Sequence, residues 1–298
     1  MEKVLGYSLN EYHLAHGAPK ARGGETAEVK EANTTINGLN MYYREAGEGF
    51  PLLGIMGLGA NADWWGPGVI EDLAAEYRFV MPDNRGAGRT ACPEENWTIE
   101  MNASDMVALM DTLGIDKAHV MGFSMGGSIA QAMAIDYPER VEKLVLCCTL
   151  CGFTSGVIPC DKTMNALGAF ATGTLSPEET ARKTAELLFS PYTFQANPGL
   201  VEGFIYLYNI APISQQGLSK QMTAGLQFDC FSRLGEIEAP TLIMTGMDDI
   251  LIPPANSDIL YERIPGSRLM KFAPAGHGFL AEVPEFTAIV KRFLAETG

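Results

Sequence analysis

At 298 residues, with 47% apolar and 19% charged side chains, the chain has material for one sizeable buried core and a smaller appended unit. Twenty-one basic against 36 acidic residues leave a formal charge of −15. A field of that sign repels phosphate backbones and anionic membranes, which argues against a nucleic-acid or membrane role. No apolar run approaches the roughly 18 residues that a spanning helix needs. The start, Met-Glu-Lys-Val-Leu-Gly, lacks a signal peptide's apolar region, so a cytoplasmic protein is expected. Six cysteines in a chain this long do not make a small disulfide framework. Cys147, Cys148 and Cys151 crowd the end of one apolar run, but a complete ligand set at recognisable spacing is missing. Packed, reduced thiols and no metal are expected.

Residues 1–32 mix small, charged and turn-forming types and read as an N-terminal arm. Thr34–Asn37 and Asn40–Glu45 flank Gly38-Leu39 and suggest a hairpin. Short apolar runs then alternate with helix-like stretches. The strand candidates are Pro51–Met56, Phe79–Pro82, Ala118–Phe123, Lys143–Cys148, Thr241–Thr245 and Arg268–Phe272. Continuous apolar runs of this length fit parallel strands covered on both faces. Helices are expected near 66–76, 99–113, 126–137 and 284–295. The alternation implies one mostly parallel sheet with helices on both faces.

The rhythm breaks between about 150 and 236. Ser176-Pro177-Glu178-Glu179 supplies an N-cap, a first-turn proline and a capping-box glutamate. Further helical stretches fall near 198–209 and 214–227, with no strand among them. Residues 150–236 therefore read as a helical cap inserted into a core of 33–149 and 237–298. Phe194, Phe204, Tyr206, Tyr208 and Phe228 would serve as cap core or as pocket wall.

The sharpest local signal is Gly122-Phe-Ser124-Met-Gly126, where an apolar strand runs directly into Gly-x-Ser-x-Gly and a helix follows. A nucleophilic serine must stand on a sharp turn with its hydroxyl exposed. The N-terminus of the next helix then faces the negative oxygen that develops in acyl transfer. Serine also needs a base. Of the chain's four histidines, His13 and His16 lie in the leader. His119 opens the strand, and strand rise would hold it roughly 15 Å or more from the hydroxyl. His277, between Gly276 and Gly278, remains as general base and then acid. The orienting carboxylate is sought after Thr241–Thr245, where Asp248 and Asp249 are candidates and Asp249 is the first choice. The order Ser124, Asp249, His277 puts all three after strand ends, where open α/β sheets carry their sites.

An oxyanion hole needs two converging donors. Met125 N–H is one. The second is expected from Met56-Gly57-Leu58-Gly59, with Leu58 first and Gly57 or Gly59 as alternatives. Gly57, Trp64 and Trp65 are placed at the substrate pocket, with one indole under the loop and the other lining the acyl site. Asp83-Asn-Arg85-Gly86-Ala-Gly88 completes neither a dinucleotide fingerprint nor a phosphate loop. A structural turn held by Asp83 and Arg85 is expected there.

At this point the sequence resembles the α/β-hydrolase superfamily over roughly residues 34–296, in its esterase, enol-lactonase and carbon–carbon hydrolase branch. Met56–Gly59, Asp83–Gly88, Gly122–Gly126, Gly246–Pro253 and Gly276–Gly278 carry the likeness. The resemblance implies the nucleophile elbow after the fifth strand, a cap after the sixth, no cofactor and frequent homodimers. Its usual Gly-to-Asp spacing also favours Asp249. One departure stands out: Met56-Gly57 occupies the place where many relatives carry His-Gly. The expected activity is hydrolysis of a small to medium, largely apolar ester or lactone. Rival readings are carbon–carbon hydrolysis of a ring-cleavage dione and a non-catalytic small-molecule receptor.

Overall fold

The computed structural model describes residues 28–171 and 175–296. The leader histidines His13 and His16 lie outside the described residues. Eight strands form one sheet in the order β1-β2-β4-β3-β5-β6-β7-β8. They are β1 (Val29–Ile36), β2 (Leu39–Ala46), β3 (Phe50–Ile55), β4 (Tyr77–Pro82), β5 (Ala118–Phe123), β6 (Val141–Cys147), β7 (Thr241–Gly246) and β8 (Arg268–Phe272). Pairings β1–β2 and β2–β4 are antiparallel, and all the others are parallel. The helices are α1 (Gly66–Ala74), α2 (Ile99–Thr112), α3 (Met125–Asp136), α4 (Asp161–Ala171), α5 (Pro177–Leu188), α6 (Pro191–Ala196), α7 (Pro198–Ile210), α8 (Gln215–Gln227), α9 (Ala255–Arg263), α10 (Phe279–Glu282) and α11 (Phe286–Ala295).

The central strands read as unbroken apolar runs because both faces are covered, and alternation decides which face each residue serves. Leu53, Ile55, Val80, Val120 and Leu144 join one core cluster with α2 and α3. Leu52, Phe79, Met81, Met121 and Val145 join the other with α1 and α11. The expected arm boundary needs correction: residues 29–32 belong to β1, paired from Val29↔Ala46 to Ala32↔Tyr43. This edge strand is mostly polar and exposed, so it carries no apolar signature to read.

Sheet order fixes where a site can form. The chain leaves β3 for β4 on one side and returns to β5 on the other, so β3 and β5 lie side by side with Ile55 beside Gly122. Their carboxyl ends bracket the crevice where the winding reverses, the place at which open α/β sheets bind ligands. Helices α4 to α8 all fall between β6 and β7. Helix α5 starts with the capping box at Ser176 and Glu179. Ala181, Ala185, Leu188, Val201 and Ile205 give this insert a small core of its own. Among the described residues, no helix is long and apolar enough to cross a membrane.

Candidate active site

Ser124 sits between β5 and α3 with φ 56° and ψ −123°. A non-glycine residue in that region costs about 1–3 kcal/mol and persists only where its surroundings enforce it. The enforcement is backbone packing. A Cβ on Gly122 would lie 2.3 Å from Gly126 O, and one on Gly126 would lie 2.1 Å from Ile55 O. Glycine at both positions lets helix α3, β5 and β3 close on one another. Ser124 N–H donates to Cys147 O at 2.8 Å, and Gly127 N–H donates to Ser124 O at 2.8 Å.

The loop after β3 lies against this elbow. A Cβ on Gly57 would come within 2.8 Å of Ser124 Cβ and 3.3 Å of its Oγ, so the backbone here touches the serine. Several side chains hold the loop. Asn84 Nδ2 donates to Met56 O at 2.7 Å, and Gly59 N–H donates to Gln221 Oε1 at 2.8 Å. The Met56 side chain is buried in the core. Asp83 accepts from Ala62 N–H and Arg89 N–H at 2.7 and 2.8 Å. Arg85 forms a two-pronged pair with Asp105. The Asp83–Gly88 segment is thus a structural turn, and burial pushes the Asp83 carboxyl up to about 6.

Asp249 and His277 follow β7 and β8, which are neighbours. His277 Nδ1 lies 2.7 Å from Asp249 Oδ2, and both side chains are buried. Oδ1 of the same carboxylate accepts N–H bonds from Leu251 and Ile252, each 2.8 Å. An ionised carboxylate only accepts, so this pairing puts the ring proton on Nδ1 and leaves Nε2 as an acceptor. Asp248, the alternative acid, is exposed, and its N–H donates to Ala275 O at 2.8 Å. His119, at the far end of β5, is packed against Phe50 and Tyr77, with centroids 4.7 and 5.9 Å apart.

The histidine loop also leans on the insert. Gly278 N–H donates to Leu188 O at 2.7 Å. Glu282 accepts from Gly276 N–H at 2.6 Å and, through its other oxygen, from Ser190 N–H at 2.9 Å. Beside the acid, Cys148 stands at φ 44°, with its sulfur within 4.8 Å of ligand atoms of Asp249 and His277. Burial drives the Cys148 thiol well above its ordinary range and keeps it protonated, which suits a weak donor better than a metal ligand.

Ser124 and His277 open into one cavity of about 290 Å³. Of the expected pocket residues, Gly57 and Trp64 line it, and so do Leu58 and Met125, the expected oxyanion-hole residues. Trp65 does not: it is 1% exposed beneath the loop, edge-on to Phe79 at 5.5 Å. The two adjacent indoles point to opposite sides of the loop, which the sequence left undecided. The insert contributes Tyr208 to the wall, while Phe204 stands behind Trp64, edge-on at 4.8 Å, and Phe228 joins the sheet core. No Asp, Glu, Lys or Arg lines the cavity among the described residues. Trp64 Nε1 and Thr149 Oγ1, both on wall residues, have no hydrogen-bond partner among the described residues. Gln221 and Glu282 went unnoticed in the sequence. Each reads as an ordinary polar helix residue, and only contacts with distant segments give it a task.

Comparison with known proteins bears on the family and the fold. The chain is 30% identical over 258 residues to an Azorhizobium caulinodans protein named as a carbamate hydrolase, RutD, covering 86% of this chain and 96% of that one. It superimposes on the enol-lactonase of Burkholderia xenovorans LB400 with a TM-score of 0.77 at 25% identity, over 89% of this chain and all of the other. A meta-cleavage product hydrolase of Pseudomonas fluorescens IP01 gives 0.75 at 25% identity, covering 88% and 97%. The sequence model of the alpha/beta hydrolase fold matches residues 51–284, and the chain belongs to that family.

Proposed function

We propose that the protein is a serine hydrolase that cleaves a carboxylic ester or lactone of a small to medium, largely apolar substrate. The carrying observation is the cavity itself. Ser124 on its elbow and a His277 ring paired to Asp249 both line it, and among the described residues its wall holds no carboxylate or cationic side chain. In this reading His277 Nε2 takes the proton of Ser124 as Oγ attacks the carbonyl. Negative charge collects on the former carbonyl oxygen, facing Met125 N–H and a donor from the loop after β3. The first N–H groups of α3 have no partner within the helix, which suits Met125 to the task. Gly59 N–H is committed to Gln221, which leaves Leu58 first and Gly57 second for the other donor. Protonated His277 releases the alcohol or enol, then activates water to free the acid and regenerate Ser124 Oγ.

Helices α4 to α8 act as the cap and share the apolar wall with the sheet core, so chain length and shape of the acyl group set selectivity. An ester or lactone carbonyl without formal charge suits the wall better than a phosphate or a polymer of charged units. Six free thiols support a reducing, cytoplasmic setting.

The test is fluorophosphonate labelling with peptide mapping on the wild type and on Ser124→Ala. Label on Ser124 that disappears in the variant is expected. A folded wild type that takes no label sinks the reading and leaves a non-catalytic receptor in its place. Turnover of short p-nitrophenyl esters and an enol-lactone above that of a vinylogous diketone or a carbamate is expected. The reverse order would move the assignment to carbon–carbon or carbamate hydrolysis.

A further inference from the structure

Gln221 is almost wholly buried, at 1% exposure, in a cavity wall that is otherwise mostly apolar. Its amide reaches out of the insert and bonds two separate loops of the sheet core. Oε1 accepts Gly59 N–H at 2.8 Å, and Nε2 donates to Arg85 O at 2.8 Å. A buried amide is tolerated when both ends are satisfied, and here each end is satisfied by backbone. One turn earlier on the same face of α8, Gly217 lets the helix approach the core. A Cβ at Gly217 would lie 2.4 Å from Gly86 O. Lys220 adds bonds to the carbonyls of Pro93 and Glu95. Helix α8 is therefore anchored to the core directly beside the loop that touches Ser124.

We propose that Gln221 is a positioning residue that holds the loop after β3 in the geometry needed to stabilise the oxyanion. This inference rests on the hydrolytic reading above. Gly59 N–H is the amide next to Leu58 N–H. Fixing it at one end, while Asn84 fixes Met56 O at the other, pins the short run that contains the expected donor. Gln221 touches no reacting atom. It acts through the loop, and it makes the seating of α8 a condition for an assembled oxyanion hole. A substrate that fills the cavity against Leu218, Met222 and Gly225 also presses on the helix that carries this amide.

The probe is a fluorophosphonate, whose phosphoryl oxygen must enter the same hole when Ser124 attacks phosphorus. Limiting inactivation rate (kinact) and half-saturating concentration (KI) are measured for the wild type, Gln221→Met, Gln221→Asn, Gln221→Glu and Thr223→Ala. Thr223 is exposed on the same helix and serves as the control. Losing one oxyanion donor outright typically costs about 100-fold or more in rate, so misplacing it should cost at least about tenfold. The expected result is that drop in kinact for Gln221→Met and Gln221→Asn, with KI within about twofold of wild type. Gln221→Glu, which keeps an acceptor for Gly59 N–H, should recover part of the loss, and Thr223→Ala should match wild type. If Gln221→Met melts below the assay temperature, Gln221→Asn, which is one methylene shorter, decides in its place. Wild-type kinact in a folded Gln221→Met or Gln221→Asn protein, or a change confined to KI, overturns the proposal. A wild type that takes no label removes it together with the hydrolytic reading, whereas a labelled wild type with an equally reactive variant removes it alone.

Discussion

The sheet frame around Ser124 and the helical insert above it are built on different terms. In the frame, backbone meets backbone: side chains on Gly122 or Gly126 would collide with carbonyl oxygens at 2.3 and 2.1 Å. In the insert, side chain meets side chain, as where Phe204 packs edge-on to Trp64 and Phe189. Gly168 and Gly225 of the insert have nothing within 4 Å of where a Cβ would stand. Gly217, against Gly86 O, and Gly152 and Gly156 near the start of the insert are where the second region uses the first one's method. The difference separates two tasks. The frame closes backbone on backbone around the candidate serine and leaves no room for a side chain at Gly122 or Gly126. The insert shapes a cavity and can trade one apolar group for another, provided its anchor at α8 stays in place.

The strongest way to sharpen this contrast is to alter the frame's chemistry without its packing. Asp249→Asn keeps the shape of the acid but offers His277 the wrong hydrogen-bond pattern, and kcat toward an ester should fall by roughly 10³–10⁴-fold with the melting temperature little changed. Steady-state kinetics on the folded variant check this, and a loss under tenfold would strip Asp249 of its orienting task. Next comes the frame's packing. Gly126→Ala drives a methyl into Ile55 O and should cost about 2–3 kcal/mol in a urea titration, together with most of the activity.

The matched change in the insert should do the opposite. Gly225→Ala, inside α8 and in open space, should gain about 0.5–1 kcal/mol from helix propensity. Equal losses for Gly126→Ala and Gly225→Ala would erase the distinction between the two regions.

The smallest effect concerns the sheet's other end. Burial, helped by Lys143, pushes His119 down from 6.5 to about 4. The unfolded chain takes up that proton first, so stability is full above pH 6.5 and is lost as pH falls toward about 4. Asp83 works in the reverse sense, because its carboxyl is raised to about 6 and stability is recovered as pH falls from there toward its ordinary value of 3.8. Comparing wild type with His119→Phe isolates the histidine. The variant should lose less melting temperature between pH 7 and 5, and parallel curves would show that His119 carries no such sensitivity.

Much of the frame was legible in one dimension. Strand ends at Phe123, Thr245 and Phe272 could be read from apolar runs that stop at or near glycine or proline, and each is followed closely by a residue of the candidate site. Turn chemistry told which strand ends could carry function, since Gly122 and Gly126 announce a close approach before the approaching partner is known. The first part of the polar edge strand β1, residues 29–33, escaped because little of it is buried, and burial is what writes a periodic pattern into a strand.

The sequence by itself determined the α/β architecture, the candidate serine, acid and base, and the place of the helical insert. Each of these is written in local periodicity, turn residues or order along the chain. Tertiary structure alone decided that Trp64 faces the cavity while Trp65 lies beneath the loop, and that Gly59 N–H is taken by Gln221. It also decided that Glu282 joins the histidine loop to Ser190. The physical reason is range. A hydrogen bond between Gly59 and Gln221 spans 162 positions and leaves no trace in the residues near either partner. Neighbouring tryptophans of identical chemistry are told apart only by what packs on each side of them.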